Sequence, residues 1–326
     1  MNDVLFNLKQ QLKQINDLII DPQDVLYFDY PLHLNVGDLL IYYGTEMFFR
    51  DYHINVRLRR CLQTFDIQEV KKYVRPNTTI LCHGGGNFGD LYPAIQSLRE
   101  MLVSHFPNNR IIVLPQTAHF STQKAMEKSA AVFSAHSDCH FFSRDTNTFE
   151  LMKKFSPNVL LCPDMAHQLY GSLPMRSEEQ RKLIAQKSEK NKLYFLRKDI
   201  EKSQIEMEIQ ATLPNLDNVK DWDDILTSRD RQIEKLCSKV GKVANLLHFK
   251  WLKNKLNEFW YQYALNVINR CQIQFLARDE IITSRLHGHI FSCLLGIENK
   301  VCDNSYGKNS AYFNQWTKDI HYAEKY

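Results

Sequence analysis

Hydrophobic and polar positions follow two patterns along the chain, one typical of amphipathic helices and one typical of buried strands. Residues 4–19 bring Leu5, Leu8, Leu12 and Ile15 to one face at three- and four-residue spacings, which predicts a helix. Continuously apolar runs predict strands, and they occupy 24–30, 78–83, 110–117, 139–145 and 158–164. Helical spacing recurs between these runs. Strands that are apolar on both faces and alternate with helices predict a parallel sheet with helices on both sides.

The second half of the chain repeats this alternation after a break. Periodicity fades and charge rises over 176–192, which indicates a domain boundary. Beyond it we predict a strand over 192–199, a long helix over 243–270, a strand over 271–277, a helix within 283–296 and a strand near Val301. The sequence therefore predicts an α/β protein of two Rossmann-like domains, 1–175 and 176–326, with parallel sheets facing a cleft.

Composition narrows the possible classes of protein. The chain has 44% hydrophobic and 24% charged residues and a net charge of +4, without a long basic block, so nucleic acid is not an expected partner. Eight cysteines without a C-x-x-C pair are typical of reduced, buried thiols. The N-terminus lacks the apolar core of a secretory signal, and no stretch reaches the ~20 apolar residues of a membrane span. We expect a cytoplasmic enzyme.

HGGGNFGD (83–90) is the sharpest local motif, because it follows a predicted strand and contains four glycines, three of them consecutive. A dinucleotide site would need an acidic residue after the next strand, where the chain has Leu114, Pro115 and Gln116. An esterase oxyanion loop would need a G-x-S-x-G elbow, which the sequence lacks. A tight packing turn would explain the glycines but not the polar Asn87 and Asp90. The motif predicts a backbone that can closely approach an anion.

TSRLHGHIFSCLLG (283–296) combines a fixed cation with titratable groups at the start of a predicted helix. Arg285 suits a phosphate or carboxylate, and His287 suits a proton donor. A histidine in such a place is more often structural, and of the two histidines His289 is the better candidate for that role.

Further cations stand where ligands of parallel sheets bind. Arg144 and Arg197 each follow a predicted strand, and Lys308 lies in a polar loop with Asn304. Surface ion pairs would explain the two arginines equally well. The loop lacks the Walker A pattern, and no histidine or carboxylate cluster has metal-ligand spacing, so we expect neither a P-loop nor a metal site.

The segment 243–263 is rich in lysine and aromatic residues. Such a helix is compatible with a peripheral contact at the cytoplasmic face of the inner membrane. A helix packed on the core with a solvated lysine face is the more common case, and it is the interpretation that we favour.

In number and order the motifs resemble those of the polysaccharide pyruvyltransferase family. They are NVGD (35–38), HGGGNFGD, PQT (115–117), SRD (143–145), CPDMA (162–166), RKD (197–199), TSRLHGHIFSCLLGI and DNSYGKNSAYFNQW (303–316). The resemblance implies a GT-B-like fold, with the donor side in the second domain and the acceptor side in the first. It also implies phosphoenolpyruvate as donor, no metal or other cofactor, and transfer to a sugar as a cyclic pyruvate ketal in surface polysaccharide biosynthesis.

The resemblance also implies roles for individual residues. Arg285 becomes the donor-binding cation and His287 the general acid, with Asp90 as a third member of the catalytic group. Substrate contacts are expected from Asp38, Gly84, Gly85, Gly86, Asn87, Arg144, Arg197, Asn304 and Lys308. The acceptor, either a lipid-linked oligosaccharide or a nucleotide sugar, stays open.

Two other functions compete with this hypothesis. A GT-B glycosyltransferase that uses a nucleotide sugar would share the architecture but transfer a glycosyl group. A noncatalytic scaffold would have no need of both the Arg-Leu-His and triple-glycine motifs.

Overall fold

Two β-sheets form the frame of the protein, which the computed structural model describes over residues 3–198, 204–303 and 307–326. The strands of the first sheet are β1 (Val25–Phe28), β2 (Val56–Arg60), β3 (Thr79–Cys82), β4 (Gly85–Gly89), β5 (Ile111–His119), β6 (Cys139–Ser143) and β7 (Asn158–Leu161). The strands of the second sheet are β8 (Lys192–Phe195), β9 (Val219–Lys220), β10 (Glu280–Thr283), β11 (Glu298–Val301) and β12 (Ala323–Lys325).

All strand pairings among the described residues are parallel. The first sheet has the order β2-β1-β3-β5-β6-β7, with β4 also paired to β5, and the second has the order β12-β11-β10-β8-β9. The α/β class with parallel sheets is thus confirmed. The predicted boundary at 175/176 falls between Leu161, where the first sheet ends, and Lys192, where the second begins.

Helices connect the strands and cover the sheets. They are α1 (Val4–Gln11), α2 (Lys13–Asn16), α3 (Val36–Asp51), α4 (Ile67–Lys71), α5 (Pro93–His105), α6 (Gln123–Ser134), α7 (Thr146–Met152), α8 (Glu178–Ala185), α9 (Gln204–Ala211), α10 (Trp222–Ile225), α11 (Ser228–Leu246), α12 (Lys250–Leu276), α13 (Leu286–Leu294) and α14 (Lys308–Tyr312). A 3-10 turn at Met165–Leu169 and a π-helical turn at Phe313–Thr317 complete the list.

The strands of the first sheet are buried on both faces, as their continuous apolar runs predict. Ile80 and Cys82 of β3 join a hydrophobic cluster on one face, whereas Leu81 joins a larger cluster on the other. Successive side chains of a strand point to opposite faces, so one apolar run supplies both clusters.

The larger cluster joins the two sheets. Leu40 of α3, Trp260 of α12 and Ile290 of α13 all belong to it. The indole of the buried Trp260 also donates to the carbonyl of Pro31 at 2.6 Å. Because they share a core, the sheets are held together by packing on each other's helices.

The sequence prediction is wrong in two places in the second half. The helix predicted over 243–270 is broken between α11 and α12, where His248 has a φ of 54°. The strand predicted over 271–277 belongs almost entirely to α12, which runs to Leu276. In that segment Cys271 and Phe275 are buried four residues apart, as a helix requires. Ile273, between these two buried residues, is exposed, so the apolar run does not lie in a buried strand.

No helix within the described parts of the chain combines the length and the apolar character needed to cross a bilayer.

Candidate active site

A cavity of about 260 Å³ opens between the carboxyl ends of the two sheets. Its cationic lining residues are Arg144, Arg197, Arg285 and Lys308, and two histidines, His33 and His287, accompany them. Other polar lining comes from Asn35, Asp38, Asn87 and Asn309. Parallel strands place the residues that follow them at one edge, so segments far apart in sequence meet here.

Arg285 and His287 enter the cavity from the junction of β10 and α13. Arg285 is the N-cap residue of α13, and its backbone N–H donates to Thr283 Oγ1 at 3.0 Å. Its guanidinium forms a two-pronged ion pair with Asp221, from Nε at 2.9 Å and from Nη2 at 2.5 Å. Asp221 directly follows β9 and is buried. This pairing fixes the orientation of the guanidinium plane.

A buried carboxylate links His287 to the first sheet. Asp164 Oδ2 lies 3.3 Å from His287 Nε2 and also accepts a hydrogen bond from Arg144. Burial alone would raise the pKa of the Asp164 carboxyl, but the charges of His287 and Arg144 outweigh it and hold the pKa well below its usual range. Asp164 is therefore ionised at neutral pH and forms an ion pair with His287 whenever the imidazole is protonated.

Arg144 is almost completely buried beside the same carboxylate. Its Nη2 donates to Thr117 Oγ1 at 3.0 Å, and its carbonyl accepts from the Trp316 indole at 2.7 Å. Its Nε is buried without a hydrogen-bond partner. Arg144 thus supplies a fixed positive charge to the cavity wall, which suits an anionic ligand.

The triple-glycine segment differs from the predicted turn between a strand and a helix. Gly85–Gly89 form β4, which pairs with β5, and α5 begins only at Pro93. A Cβ at Gly84 would lie 2.8 Å from the Pro115 carbonyl oxygen, and one at Gly89 would lie 1.7 Å from that of His119. These two glycines allow β5 to approach closely. No helix start meets the glycines, which excludes the dinucleotide interpretation.

Only the middle of this segment reaches the cavity. A Cβ at Gly86 would lie 3.1 Å from Lys308 Nζ and 3.5 Å from an Arg144 nitrogen. The neighbouring Asn87 is oriented by Arg99, whose Nη2 donates to Asn87 Oδ1 at 2.6 Å. Gly85 lies behind the wall with a φ of 121°, and a Cβ there would be 3.3 Å from Asp38 Oδ1.

The NVGD segment forms the start of α3 under His287. Asn35 caps the helix by accepting the Gly37 N–H at 3.0 Å. Gly37 leaves room for the imidazole, because a Cβ there would lie 2.6 Å from His287 Nδ1. Asp38 faces the cavity with His33 Nε2 3.8 Å from its carboxylate.

Most of the predicted site residues come together in this one cavity. They are Asp38, Gly86, Asn87, Arg144, Arg197, Arg285, His287 and Lys308. Gly84 and Gly85 stand behind the lining. Asn304 lies outside the described residues. His289 is buried and bonded at both ring nitrogens, to Asn299 at 2.6 Å and Thr317 at 2.8 Å, as a structural role requires.

Asp90 requires a correction, because the structure does not place it in the cavity lining. Its carboxylate accepts the backbone N–H of Ser121 at 2.9 Å and the Ser121 hydroxyl. Strand β4 runs on through Gly89 and carries Asp90 past the cavity to the loop that follows β5. Asp90 therefore anchors that loop.

Sequence reasoning missed the two carboxylates that hold the arginines. Asp164 lies in CPDMA and follows β7, so its strand-end position was a usable signal. Asp221 follows β9, which has only two residues and therefore no detectable periodicity.

A larger hollow of about 410 Å³ lies at the edge of the second sheet, near the amino ends of β10 and β11. Opposite charges along it pair with each other, as in Lys190 with Glu298 at 2.5 Å and Lys182 with Glu178 at 2.9 Å. The strand ends that carry the predicted motifs are absent from its lining. We therefore take the smaller cavity as the candidate active site. In the parts of the chain that the structure describes, no three His, Cys, Asp or Glu side chains are grouped to hold a metal ion.

Paired parallel sheets whose carboxyl ends enclose a cationic cavity define an α/β protein built to bind an anionic ligand. Comparison with known proteins identifies the family of this chain. Residues 35–306 match the family model "Polysaccharide pyruvyl transferase", and the chain belongs to that family. The family resemblance drawn from the motifs is thus confirmed, and with it a transferase of polysaccharide biosynthesis.

Individual relatives match over most of this chain. The chain is 36% identical to EpsO of Bacillus subtilis (strain 168), assigned as a pyruvyl transferase, over 97% of this chain and 92% of EpsO. It is 26% identical to Pyruvyl transferase 1 of Schizosaccharomyces pombe (strain 972 / ATCC 24843), over 90% of this chain and 69% of that protein. The crystal structure of KP1_0663 from Klebsiella pneumoniae has a similar fold, with a TM-score of 0.55 and 20% identity over 97% of this chain and 96% of that one.

Proposed function

We propose that this protein transfers the enolpyruvyl unit of phosphoenolpyruvate to two hydroxyls of one sugar, as a cyclic ketal, during surface polysaccharide assembly. The observation that carries the proposal is that Arg285 and His287 share one cavity with Gly86 and Asn87 of the triple-glycine segment. A cation and a proton donor thus face a backbone that can closely approach an anion.

The charges around the cavity support a small donor with two anionic ends. Four permanent cations line it, and the facing carboxylates of Asp164 and Asp221 are engaged by Arg144 and Arg285. Phosphoenolpyruvate carries a phosphate and a carboxylate, and guanidinium groups hold both kinds of anion through paired hydrogen bonds. We assign donor contacts to Arg285 and Arg144, with Arg197 and Lys308 as further contacts.

The reaction follows from the chemistry of an enol phosphate, which, like an enol ether, is protonated at its methylene carbon. His287 in its charged form protonates the methylene carbon, and an oxocarbenium-like centre forms at C2. A sugar hydroxyl attacks C2 and loses its proton, with the Asp38 carboxylate of the cavity lining as the candidate base. The second hydroxyl then displaces phosphate from C2 and closes the ring. Two hydroxyl protons are released; one replaces the proton given to carbon and the other leaves with phosphate.

We further propose a GT-B-like arrangement, with the donor held mainly by the second sheet and by Arg144 of the first, and the acceptor held by the first sheet. Lining residues from both sheets support this division. We also propose that the reaction needs no metal or other cofactor and takes place in the cytoplasm. The eight buried free thiols support a reducing compartment. If no metal is needed, we expect turnover to survive chelation by EDTA.

Phosphate release tests the function directly. The purified protein is incubated with phosphoenolpyruvate and the glycan precursor fraction from cells that lack it. We expect phosphate release together with a mass increase of the glycan by one pyruvate ketal. A glycosyltransferase would release no phosphate from phosphoenolpyruvate, and a scaffold would not bind it in calorimetry. Either result would overturn the proposal.

Variants of the two central residues assign the roles. His287→Ala should abolish turnover and keep the fold, whereas His105→Ala, on an exposed face of α5, should change neither. Arg285→Lys should chiefly raise the KM for phosphoenolpyruvate, because lysine lacks the two-pronged geometry that Asp221 and the donor require. The exposed Arg229→Lys is its matched control. Normal turnover by His287→Ala would remove the proposed acid.

A further inference from the structure

The hairpin formed by α11 and α12 exposes a group of large apolar side chains at its tip. Leu246 is 78% exposed and Trp251 is 71% exposed. Val243, Leu247 and Phe249 are also more than half exposed. Exposed apolar residues are normal when scattered, but a contiguous group marks a contact surface.

Positive charges dominate the tip, and the acidic side chains next to it are engaged: Asp66 by His248, Glu69 by Lys253 and Glu258 by Lys255. From 235 to 257 the chain contains six lysines and no acidic residue. Lys242 and Lys250 are exposed beside the apolar group. The neighbouring segment adds exposed Lys71, Lys72 and Arg75, and Lys250 Nζ lies 4.4 Å from the centre of the Tyr73 ring. The tip is thus an apolar surface with a cationic border.

The hairpin is firmly attached on its other side, so the exposure belongs to an ordered element. Asn245 Nδ2 donates to the Phe65 carbonyl at 2.9 Å, and the buried Lys253 binds Glu69 at 2.9 Å. A Cβ at Gly241 would lie 3.1 Å from Leu256, which shows how closely α11 and α12 pack. The outward side chains of the hairpin are therefore held in a fixed arrangement.

We propose that this hairpin tip docks on the surface of an anionic phospholipid bilayer. Charge complementarity favours an anionic bilayer as the partner of this surface. Exposed leucine, phenylalanine and tryptophan enter the boundary between head groups and acyl chains, and surrounding lysines attract the negative head groups. A soluble protein partner would also cover the apolar group, but lysine is depleted at the core of protein–protein interfaces, and this surface is rich in lysine.

The docked hairpin lies close to the active-site cavity. A groove of about 50 Å³ shares His33, Asn87 and Ile95 with the cavity and continues to Leu62 and Gln63. A Cβ at Gly241 of α11 would lie 3.3 Å from Gln63 Cβ, so the groove ends against the hairpin. The docking itself does not depend on the proposed reaction.

Vesicle flotation tests the docking without any catalytic step. The full-length protein is mixed with vesicles of phosphatidylglycerol and phosphatidylcholine, or of phosphatidylcholine alone. We expect flotation only with the anionic vesicles, and loss of it in Leu246→Ser/Trp251→Ser. The control Leu183→Ser alters a residue 65% exposed on α8 and should float like the wild type.

Charge variants test the second part of the surface. Each lysine near an anionic membrane contributes a factor of about five in partitioning, so Lys242→Gln/Lys250→Gln should bind about 25-fold more weakly. The exposed pair Lys124→Gln/Lys128→Gln on α6 should change little. Three results would overturn the proposal: no flotation of the wild type, equal flotation of the hairpin and control variants, or a dimer in lipid-free sedimentation that Leu246→Ser/Trp251→Ser converts to monomer.

Discussion

Gly37→Ala is the sharpest test of whether the position of His287 governs the reaction. Gly37 lies in the first turn of α3, directly under the imidazole, and the three atoms nearest to a Cβ at this position all belong to His287. Its φ is not in the left-handed region, so alanine introduces no backbone strain. The substitution therefore acts through a single added methyl group.

The structure sets the size of the effect. The new Cβ would lie 2.6 Å from Nδ1 and 2.9 Å from Cγ of His287, whereas ordinary contact begins at 3.4 Å. The ring must therefore move by about 0.8 Å. A misplacement of about 1 Å at a reacting group costs about a hundred-fold in rate. We expect kcat to fall by about that factor.

Stability measurements separate displacement from unfolding. Overpacking of this kind costs about 1–3 kcal/mol, partly offset because alanine is the better helix former. In Gly37→Ala/His287→Ala the clash is removed, so the double variant should be at least as stable as His287→Ala alone. Phosphate release gives kcat, and denaturant unfolding gives stability. A folded Gly37→Ala protein with wild-type kcat would refute the reasoning.

Three carboxylates give further predictions. Asp164→Asn should cost about 3–5 kcal/mol of unfolding free energy, because Arg144 loses its buried partner. The pKa of Asp164 is lower in the folded than in the unfolded protein, so its stabilisation is present at neutral pH and is lost as pH falls below the ordinary value of 3.8. The stability of the Asp164→Asn variant should therefore fall less steeply in acid than that of the wild type. Asp221→Asn should lower kcat/KM for phosphoenolpyruvate about ten- to a hundred-fold, since Arg285 loses a charged hydrogen bond of ~1.5–3 kcal/mol. Asp90→Asn should leave steady-state turnover unchanged, because Asp90 lies outside the cavity lining.

Strand ends explain how much of the site the sequence could predict. Arg144, Arg197 and Arg285 each follow an apolar run, and parallel strands deliver such residues to one edge. That rule needs only the local pattern. It does not say which carboxylate binds which arginine, because Asp221 and Arg285 are 64 residues apart in sequence. The pairing arises only when β9 is added to the edge of the second sheet.

The glycine segment shows a different limit. Gly84, Gly86 and Gly89 match a phosphate-binding spacing, yet two of the three serve the contact between β4 and β5. A glycine needed for backbone packing and a glycine needed for a ligand look the same in sequence. Only the neighbour of each missing Cβ distinguishes them: a carbonyl oxygen at Gly84 and Gly89, and two cationic side chains at Gly86.

The carboxylates behind the cavity reduce its positive charge and at the same time orient its arginines. Asp221 and Asp164 partly neutralise Arg285 and Arg144, so the site does not attract anions through a large excess of positive charge. They fix where the guanidinium groups point before any ligand binds, and such preorganisation lowers the entropy lost on binding. Such a site recognises the distance and angle between two anionic groups. It should therefore distinguish phosphoenolpyruvate from inorganic phosphate more by geometry than by charge.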